Sequence, residues 1–318
     1  MNFFQPDFVR IENTLKQHFA SHIAFVNQVS SHILFAGGKR LRPLLTVCAA
    51  RLCGYSGDKI YELSAVPEYL HAASLLHDDV VDAGEMRRGK TPAYKIWGNN
   101  AAVLVGDFMY ARAIELATRF EDIRIARSIS KTVGLMAEGE IIQLLHAKVP
   151  SFDEDTYLDV IYRKTAALIS TSCRIGALMA RGSLEEVEAL SNYGLYLGQA
   201  FQMVDDVLDF TADSSEFGKA TGTDLAEGKL TLPIVIALDK APADKKEKLM
   251  NLLCQGFASS SDLLWVKEVL METGGIQYTI KRAKSLVEAA CESLDIFPDS
   301  TIKTNMKIIA LYVLERKK

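Results

Sequence analysis

The sequence predicts an all-α chain, and three observations carry that expectation. Only 8 prolines occur in 318 residues, and none lies between Pro92 and Pro150 or between Pro150 and Pro233. Long uninterrupted helices are therefore permitted in those stretches. Apolar residues recur there at helical spacing, whereas period-two alternation bounded by turn dipeptides recurs nowhere at length. The chain is long enough for one large core or two modest domains, and its 49% hydrophobic and 24% charged residues are an ordinary globular mixture. No internal repeat or low-complexity linker interrupts it, so one helical domain over residues 1–318 is the simplest organisation.

Taken in order, the elements read as follows. Pro67 stands in the segment that leads to His71 and Asp78, which predicts a kink or restart of that helix. In residues 101–118, Asp107, Arg112 and Glu115 punctuate an otherwise apolar run, as in a helix buried on most sides. Residues 128–148 carry Ile129, Val133, Met136 and Ala137 at helical spacing. Loop signals cluster at 84–92, 149–155, 214–228 and 241–246.

Composition also excludes function classes. Lys and Arg number 36 against 40 Asp and Glu, a formal charge of −4, which gives no reason to expect nucleic acid. The five cysteines are odd in number and form no CxxC pair, which fits reduced core thiols in a cytosolic protein. The start MNFFQPDF lacks the features of a signal peptide, and the apolar run 230–238 is too short to span a bilayer. A soluble cytoplasmic chain is the expectation.

Two acidic clusters carry the chemistry. His77-Asp78-Asp79-Val80-Val81-Asp82 and Val204-Asp205-Asp206-Val207-Leu208-Asp209 each place two aspartates four apart, on one helix face. Like charges at that spacing repel by a few tenths of a kcal/mol unless a cation lies between them. Both clusters sit among apolar residues, where an inward carboxylate pair is costly without a cationic partner. One DDxxD alone is more often a solvated helix turn; two in apolar frames favour a two-sided Mg²⁺ site. Mg²⁺ takes one or two carboxylates together with substrate phosphates, and neither cluster has the pattern of a calcium-binding EF-hand loop.

Cationic, glycine-rich segments accompany the acids. Gly37-Gly38-Lys39-Arg40-Leu41-Arg42-Pro43, Arg87-Arg88-Gly89-Lys90, Lys164-Thr165, Lys219 and Lys229 all offer donors for phosphate, though a single basic run is usually solvated surface. Their placing beside acidic clusters or glycine turns favours a polyphosphate substrate bridged by metal. No GxxxxGK[ST] motif is present, so the site is not a P-loop.

GGKRLRP, LLHDDVVD, RRGK, KTA, GQAFQMVDDVLDF and GKATGTDLAEGKLTLP, in that order, resemble the motifs of the trans-isoprenyl diphosphate synthases, and most of all the long-chain, octaprenyl-type enzymes. The resemblance runs from about Gly37 to Pro233; the flanks share helical character more than motif. It implies the isoprenoid synthase fold, a single-domain bundle around a deep central active-site cavity, in a homodimer. It implies head-to-tail condensation of an allylic diphosphate, such as farnesyl diphosphate, with successive isopentenyl diphosphates. It further implies that Asp78 and Asp82 hold two Mg²⁺ ions and Asp205 a third. Lys39, Arg42, His71 and Arg88 would then bind isopentenyl diphosphate, and Arg87, Lys164, Thr165, Gln202, Lys219 and Lys229 the allylic diphosphate. Asp78, Asp82, Lys164, Asp205 and Lys219 form the catalytic set. The basic end, Arg316-Lys317-Lys318, resembles the family tail that closes over the site.

The logic of those roles is electrostatic. Breaking the allylic C–O bond separates a carbocation from a diphosphate, and cations fixed at the departing group stabilise the charge developing there. The carbocation must meet the isopentenyl double bond and not water, which calls for a dry cavity. His71 lies two turns before Asp78 on the same face and suits a phosphate donor; a lone His in an apolar helix is more often structural. His77 reads as packing, and His146 has no assigned chemistry.

Ala73 and Ser74 precede Asp78 by about one turn, roughly 6 Å. In the family, aromatic side chains there floor the pocket; these two are small and let the chain pass, with Leu70, Tyr69, Met109 or Met136 as a deeper floor. The expected product is longer than C20, in the C30–C45 range, and its release invites transient membrane association. Rival readings are a class I terpene cyclase, a non-catalytic or partner-dependent subunit of a heteromeric prenyl synthase, and a phosphohydrolase on the same metals.

Overall fold

The computed structural model describes residues 2–18, 20–87, 89–147, 153–211, 222–255 and 259–316. Within these residues the regular structure is helical and no strand forms; the one bridge, between Arg87 and Lys90, is isolated. Arg88, Lys219, Lys317 and Lys318 lie outside the described residues. The chain divides into two compact units. The first comprises Met1–Gly134, Leu168–Gly194 and Leu294–Met306; the second comprises Leu135–Ala167, Leu195–Ser293 and Lys307–Lys318.

The first unit holds α1 (Gln5–His18), α2 (Ala24–Leu34), α3 (Leu41–Leu52), α4 (Lys59–Val81), α5 (Ala93–Trp97) and α6 (Asn99–Thr118). Helix α4 is its axis and packs against α1, α2, α3, α5 and α6. A helix surrounded by neighbours must be apolar on nearly every side, and from Ile60 to Leu76 of α4 only Glu62, His71 and Ser74 are not buried. Pro67 causes no restart: α4 runs unbroken through it. Proline costs a helix interior about 3 kcal/mol, and the burial of Leu63, Val66, Tyr69 and Leu70 around it outweighs that. Tyr69 is fully buried and donates its hydroxyl to Leu15 O at 3.0 Å, so it ties α4 to α1.

Helices α7 (Ile123–His146), α9 (Ala167–Met179), α10 (Leu184–Thr211) and α16 (Thr301–Glu315) contribute residues to both units. The second unit adds α8 (Glu154–Ile161), α11 (Thr223–Ala226), α12 (Leu232–Lys240), α13 (Ala243–Gln255), α14 (Ser260–Glu272) and α15 (Gly275–Ser293). Its core gathers Val207 and Phe210 with Leu225, Ile234, Leu238, Leu249, Val266 and Leu270. Pro233 sits in the first turn of α12, where its missing N–H costs nothing. The expected loop at 241–246 shrinks to Ala241 and Pro242, because α13 begins at Ala243. The end of the 214–228 segment likewise contains the short α11.

Candidate active site

The first acidic cluster closes α4. Asp82 caps the helix, and its N–H donates to Asp78 O at 2.8 Å. Asp78 and Asp82 are half-buried, whereas Asp79 is turned inward and held by Arg87 through Nε and a terminal nitrogen, both at 2.6 Å. His71, Ser74, Asp78 and Asp82 form a half-buried stripe at i, i+3, i+7 and i+11 of α4. Ser74 donates its hydroxyl to His71 O at 2.9 Å, and Ala73 lies off the stripe, fully buried. His77 packs as expected: Nε2 lies 3.0 Å from Val103 O, and its ring covers the face of Gly106, where a Cβ would collide with it.

The GGKRLRP turn sorts its three cations. Gly37 and Gly38 take positive φ, and Arg40 stands in the left-handed region at φ 48°, which turns it away from its neighbours. Its guanidinium is buried and reaches Glu12 at 2.6 Å, Glu68 at 2.8 Å and Leu34 O at 2.8 Å. Lys39 is exposed, and Arg42 is half-buried in the first turn of α3. Arg40 is thus the anchor of the loop, with Lys39 exposed and Arg42 half-buried beside it. Beyond the cluster, Tyr94 donates to Gly84 O at 3.1 Å, and His32 Nε2 lies 2.9 Å from Thr91 O, which fixes the loop that carries Arg87.

In the second unit, Lys164 and Thr165 lie on a π-helical turn, Tyr162–Ala166, a local widening of the helix that often marks functional sites. Two glycines make room for that turn. A Cβ on Gly139 would lie 2.7 Å from Arg163 Cβ, and one on Gly198 would lie 2.5 Å from Ala166 Cα. The second contact is to backbone, which cannot swing aside. Gly198→Ala is therefore expected to lower stability by about 2 kcal/mol and to raise KM for an allylic diphosphate, measured by denaturation and initial rates.

Lys164 Nζ bridges Glu140 Oε1 and Gln143 Oε1 on α7, each at 2.7 Å. Thr165 donates to Gln202 Oε1 at 2.8 Å; Gln202 Nε2 donates to Asp206 Oδ1 at 2.8 Å; Tyr157 donates its hydroxyl to Asp206 Oδ2 at 2.6 Å. Burial and then the nearby Asp224 push the Asp206 carboxyl up, against the donors Tyr157 and Gln202 that favour its charged form. Lys164, Thr165, Gln202, Asp206, Lys229 and Thr231 are among the residues lining one cavity of about 120 Å³. Lys229 pairs with Glu227 at 2.5 Å.

Asp205 takes a different partner from Asp206. It lies 2.9 Å from Arg316, whose guanidinium stacks 4.1 Å from the centre of the Phe201 ring. Asp209 accepts the N–H of Asp224 at 3.2 Å. The first acidic cluster ends its helix, α4, where the negative end of the helix dipole opposes carboxylates. In both clusters two aspartates four apart also repel each other, so each needs a cation. Arg316 supplies one at Asp205. Among the described residues no three His, Cys, Asp or Glu side chains are gathered so as to hold a metal ion by themselves.

Residues 23–270 match the model of the polyprenyl synthetase family. The chain belongs to that family. It is 38% identical to the octaprenyl diphosphate synthase of Escherichia coli (strain K12), over 92% of this chain and 91% of the relative. It is 35% identical to heptaprenyl diphosphate synthase component 2 of Bacillus subtilis (strain 168), over 99% and 90%. The solved polyprenyl synthase of Caulobacter crescentus CB15, a complex with calcium and isoprenyl diphosphate, superposes with a TM-score of 0.94 at 34% identity, covering 100% of this chain and 97% of that one.

Like other polyprenyl synthetases, the chain has the all-α isoprenoid synthase fold. Four of the residues expected at the allylic diphosphate, Lys164, Thr165, Gln202 and Lys229, surround one cavity in the second unit. Arg87, expected with them, belongs to the first unit and is committed to Asp79. Sequence reading missed Arg40 as an anchor and gave no role to Tyr157, Glu140, Gln143 or His146, which lies on the wall of the same cavity. The tyrosine seven residues before Lys164, two turns of a helix, is the one signal that pointed there. No described helix is long and apolar enough to cross a membrane.

Proposed function

We propose that the chain is a trans-polyprenyl diphosphate synthase. It transfers an allylic group from its diphosphate to isopentenyl diphosphate and repeats the step to build an all-trans polyprenyl diphosphate. The observation that carries this reading is the gathering of Lys164, Thr165, Gln202 and Lys229 around one cavity. Two ammonium groups and the second N–H of the Gln202 amide are donors of the kind a departing diphosphate requires, and the Thr165 hydroxyl holds that amide.

In the reaction the allylic C–O bond breaks and its electron pair leaves with the diphosphate. The isopentenyl double bond supplies the electrons of the new C–C bond, and the resulting cation loses a proton to the departed diphosphate. Lys164, Thr165, Gln202, Lys219 and Lys229 hold that leaving group; Lys39, Arg42, His71 and Arg88 hold the second substrate. Asp78, Asp82 and Asp205 would hold up to three Mg²⁺ ions, because each belongs to a pair of carboxylates four apart that repel without a cation. When bound, the ions neutralise diphosphate charge. Arg87 acts through Asp79, keeping the end of α4 in register. We read residues 1–318 as one cytoplasmic synthase domain that works as a homodimer, with transient membrane association at product release; the Bacillus relative is named as one component of its enzyme.

Arg316 and a metal ion compete for Asp205 in this reading. Arg316→Gln is expected to tighten Mn²⁺ binding to the substrate-free chain several-fold, measured by paramagnetic titration; unchanged binding would place the ion elsewhere. The reading itself is tested by incorporation of labelled isopentenyl diphosphate into extractable product, which must require both an allylic primer and a divalent cation.

A further inference from the structure

The allylic half includes Gln202 and Thr165, and a side chain outside the reacting set fixes both. Tyr157 of α8 is buried, and its hydroxyl is 2.6 Å from Asp206 Oδ2. The other oxygen of Asp206 takes Gln202 Nε2 at 2.8 Å, and Gln202 Oε1 takes the Thr165 hydroxyl at 2.8 Å. A side-chain amide has a donor end and an acceptor end, and its surroundings decide which faces where. Here Asp206 Oδ1 accepts from the amide nitrogen, which sets that end of the amide inward. One amide hydrogen is thereby committed to Asp206 and the second remains for a ligand in the cavity that Gln202 lines.

Asp206 is 3% exposed, so its oxygens have no water to replace a lost partner. Take away the Tyr157 hydroxyl, and the carboxylate that orients Gln202 loses the bond that pins it at the other end. We propose that Tyr157 is a positioning residue for the allylic diphosphate. Acting through Asp206, it fixes the amide of Gln202 and the hydroxyl of Thr165 on the cavity wall. It has its ring in the core and its one polar atom in the chain of bonds, which suits the role: the ring holds the hydroxyl still, and the hydroxyl holds the carboxylate. The proposal rests on the synthase reading of this cavity.

Tyr157→Phe keeps the ring and removes the hydroxyl. It is expected to raise KM for farnesyl diphosphate about tenfold, leaving KM for isopentenyl diphosphate within twofold of the wild type. In a Gln202→Ala background the same substitution should change the allylic KM less than twofold, because the residue it acts through is gone. Equal rises in both KM values, effects that multiply in the double variant, or an unchanged allylic KM would each overturn the role. Should Tyr157→Phe fail to fold, Asp206→Asn carries the same test. Its allylic KM must rise, non-additively with Gln202→Ala, at unchanged Mg²⁺ dependence, and an altered Mg²⁺ dependence would assign the bond chain to the metal instead. A wild-type chain that incorporates no isopentenyl unit removes the synthase reading and this proposal together; normal wild-type turnover with an unchanged allylic KM in Tyr157→Phe removes only the proposal.

Discussion

Replacing Asp78 with alanine is expected to lower kcat by about 10³-fold or more without loss of helix content or melting temperature. The two halves of that expectation come from the same geometry. Asp78 is half-buried in the last turn of α4, apart from the packed run that ends at Leu76. It faces the negative end of the helix dipole and shares its stripe with Asp82. Its removal relieves repulsion in the folded chain and takes a ligand from the cation that offsets the leaving diphosphate. Asp79 is the control. It is 1% exposed and bound to the half-buried Arg87, so Asp79→Ala removes a buried anchor of that loop and is expected to cost about 1–3 kcal/mol of stability. Circular dichroism melts and single-turnover rates on the two variants separate the roles. An Asp78→Ala enzyme with near-normal kcat and Mg²⁺ dependence would remove the metal assignment.

Ser74→Phe is expected to truncate the product to C20 or shorter. Ser74 shares the half-buried stripe of α4 with His71 and Asp78 and precedes Asp78 by four residues, about 6 Å along the helix. A phenyl ring there projects from the same face as the aspartates and stops a chain that grows along it. Ala73 sits off that stripe with no exposed surface, so Ala73→Phe must displace packed neighbours to reach the same space. It is expected to shorten the product as well and to cost about 1–3 kcal/mol of stability through overpacking. Thin-layer sizing of labelled products reads both. Unchanged length in both variants would move the floor of the growing chain away from α4; shortening by Ser74→Phe alone would leave Ser74 as the wall.

The two aspartate clusters were legible because a four-residue spacing means one face on any helix. Local sequence is silent on which aspartate of each cluster turns inward. Asp79 and Asp206 do so because Arg87 and Tyr157, 8 and 49 residues distant, meet them there. The three cations of GGKRLRP look equivalent on paper. Only the left-handed backbone at Arg40 and the buried Glu68, 28 residues on, select it as the anchor. At Pro67 the restart that local propensity allowed does not occur, because burial around α4 keeps the helix continuous. The π turn at Lys164 has no periodic signature in five residues, although Gly139 and Gly198 record the close approaches it requires. Arg316 shows that a terminal cation can reach the second cluster, while Lys219 and Arg88 lie outside the described residues.

The central claim is that this chain, by itself, elongates an allylic diphosphate past twenty carbons. The direct measurement incubates the purified chain with farnesyl diphosphate, labelled isopentenyl diphosphate and Mg²⁺, and sizes the extracted products. The account predicts a ladder that ends in one dominant band between C30 and C45. A ladder that stops at C15 or C20 would contradict the open path past Ser74 and Ala73, and a folded, Mg²⁺-binding chain that adds no isoprene unit would contradict the synthase reading itself.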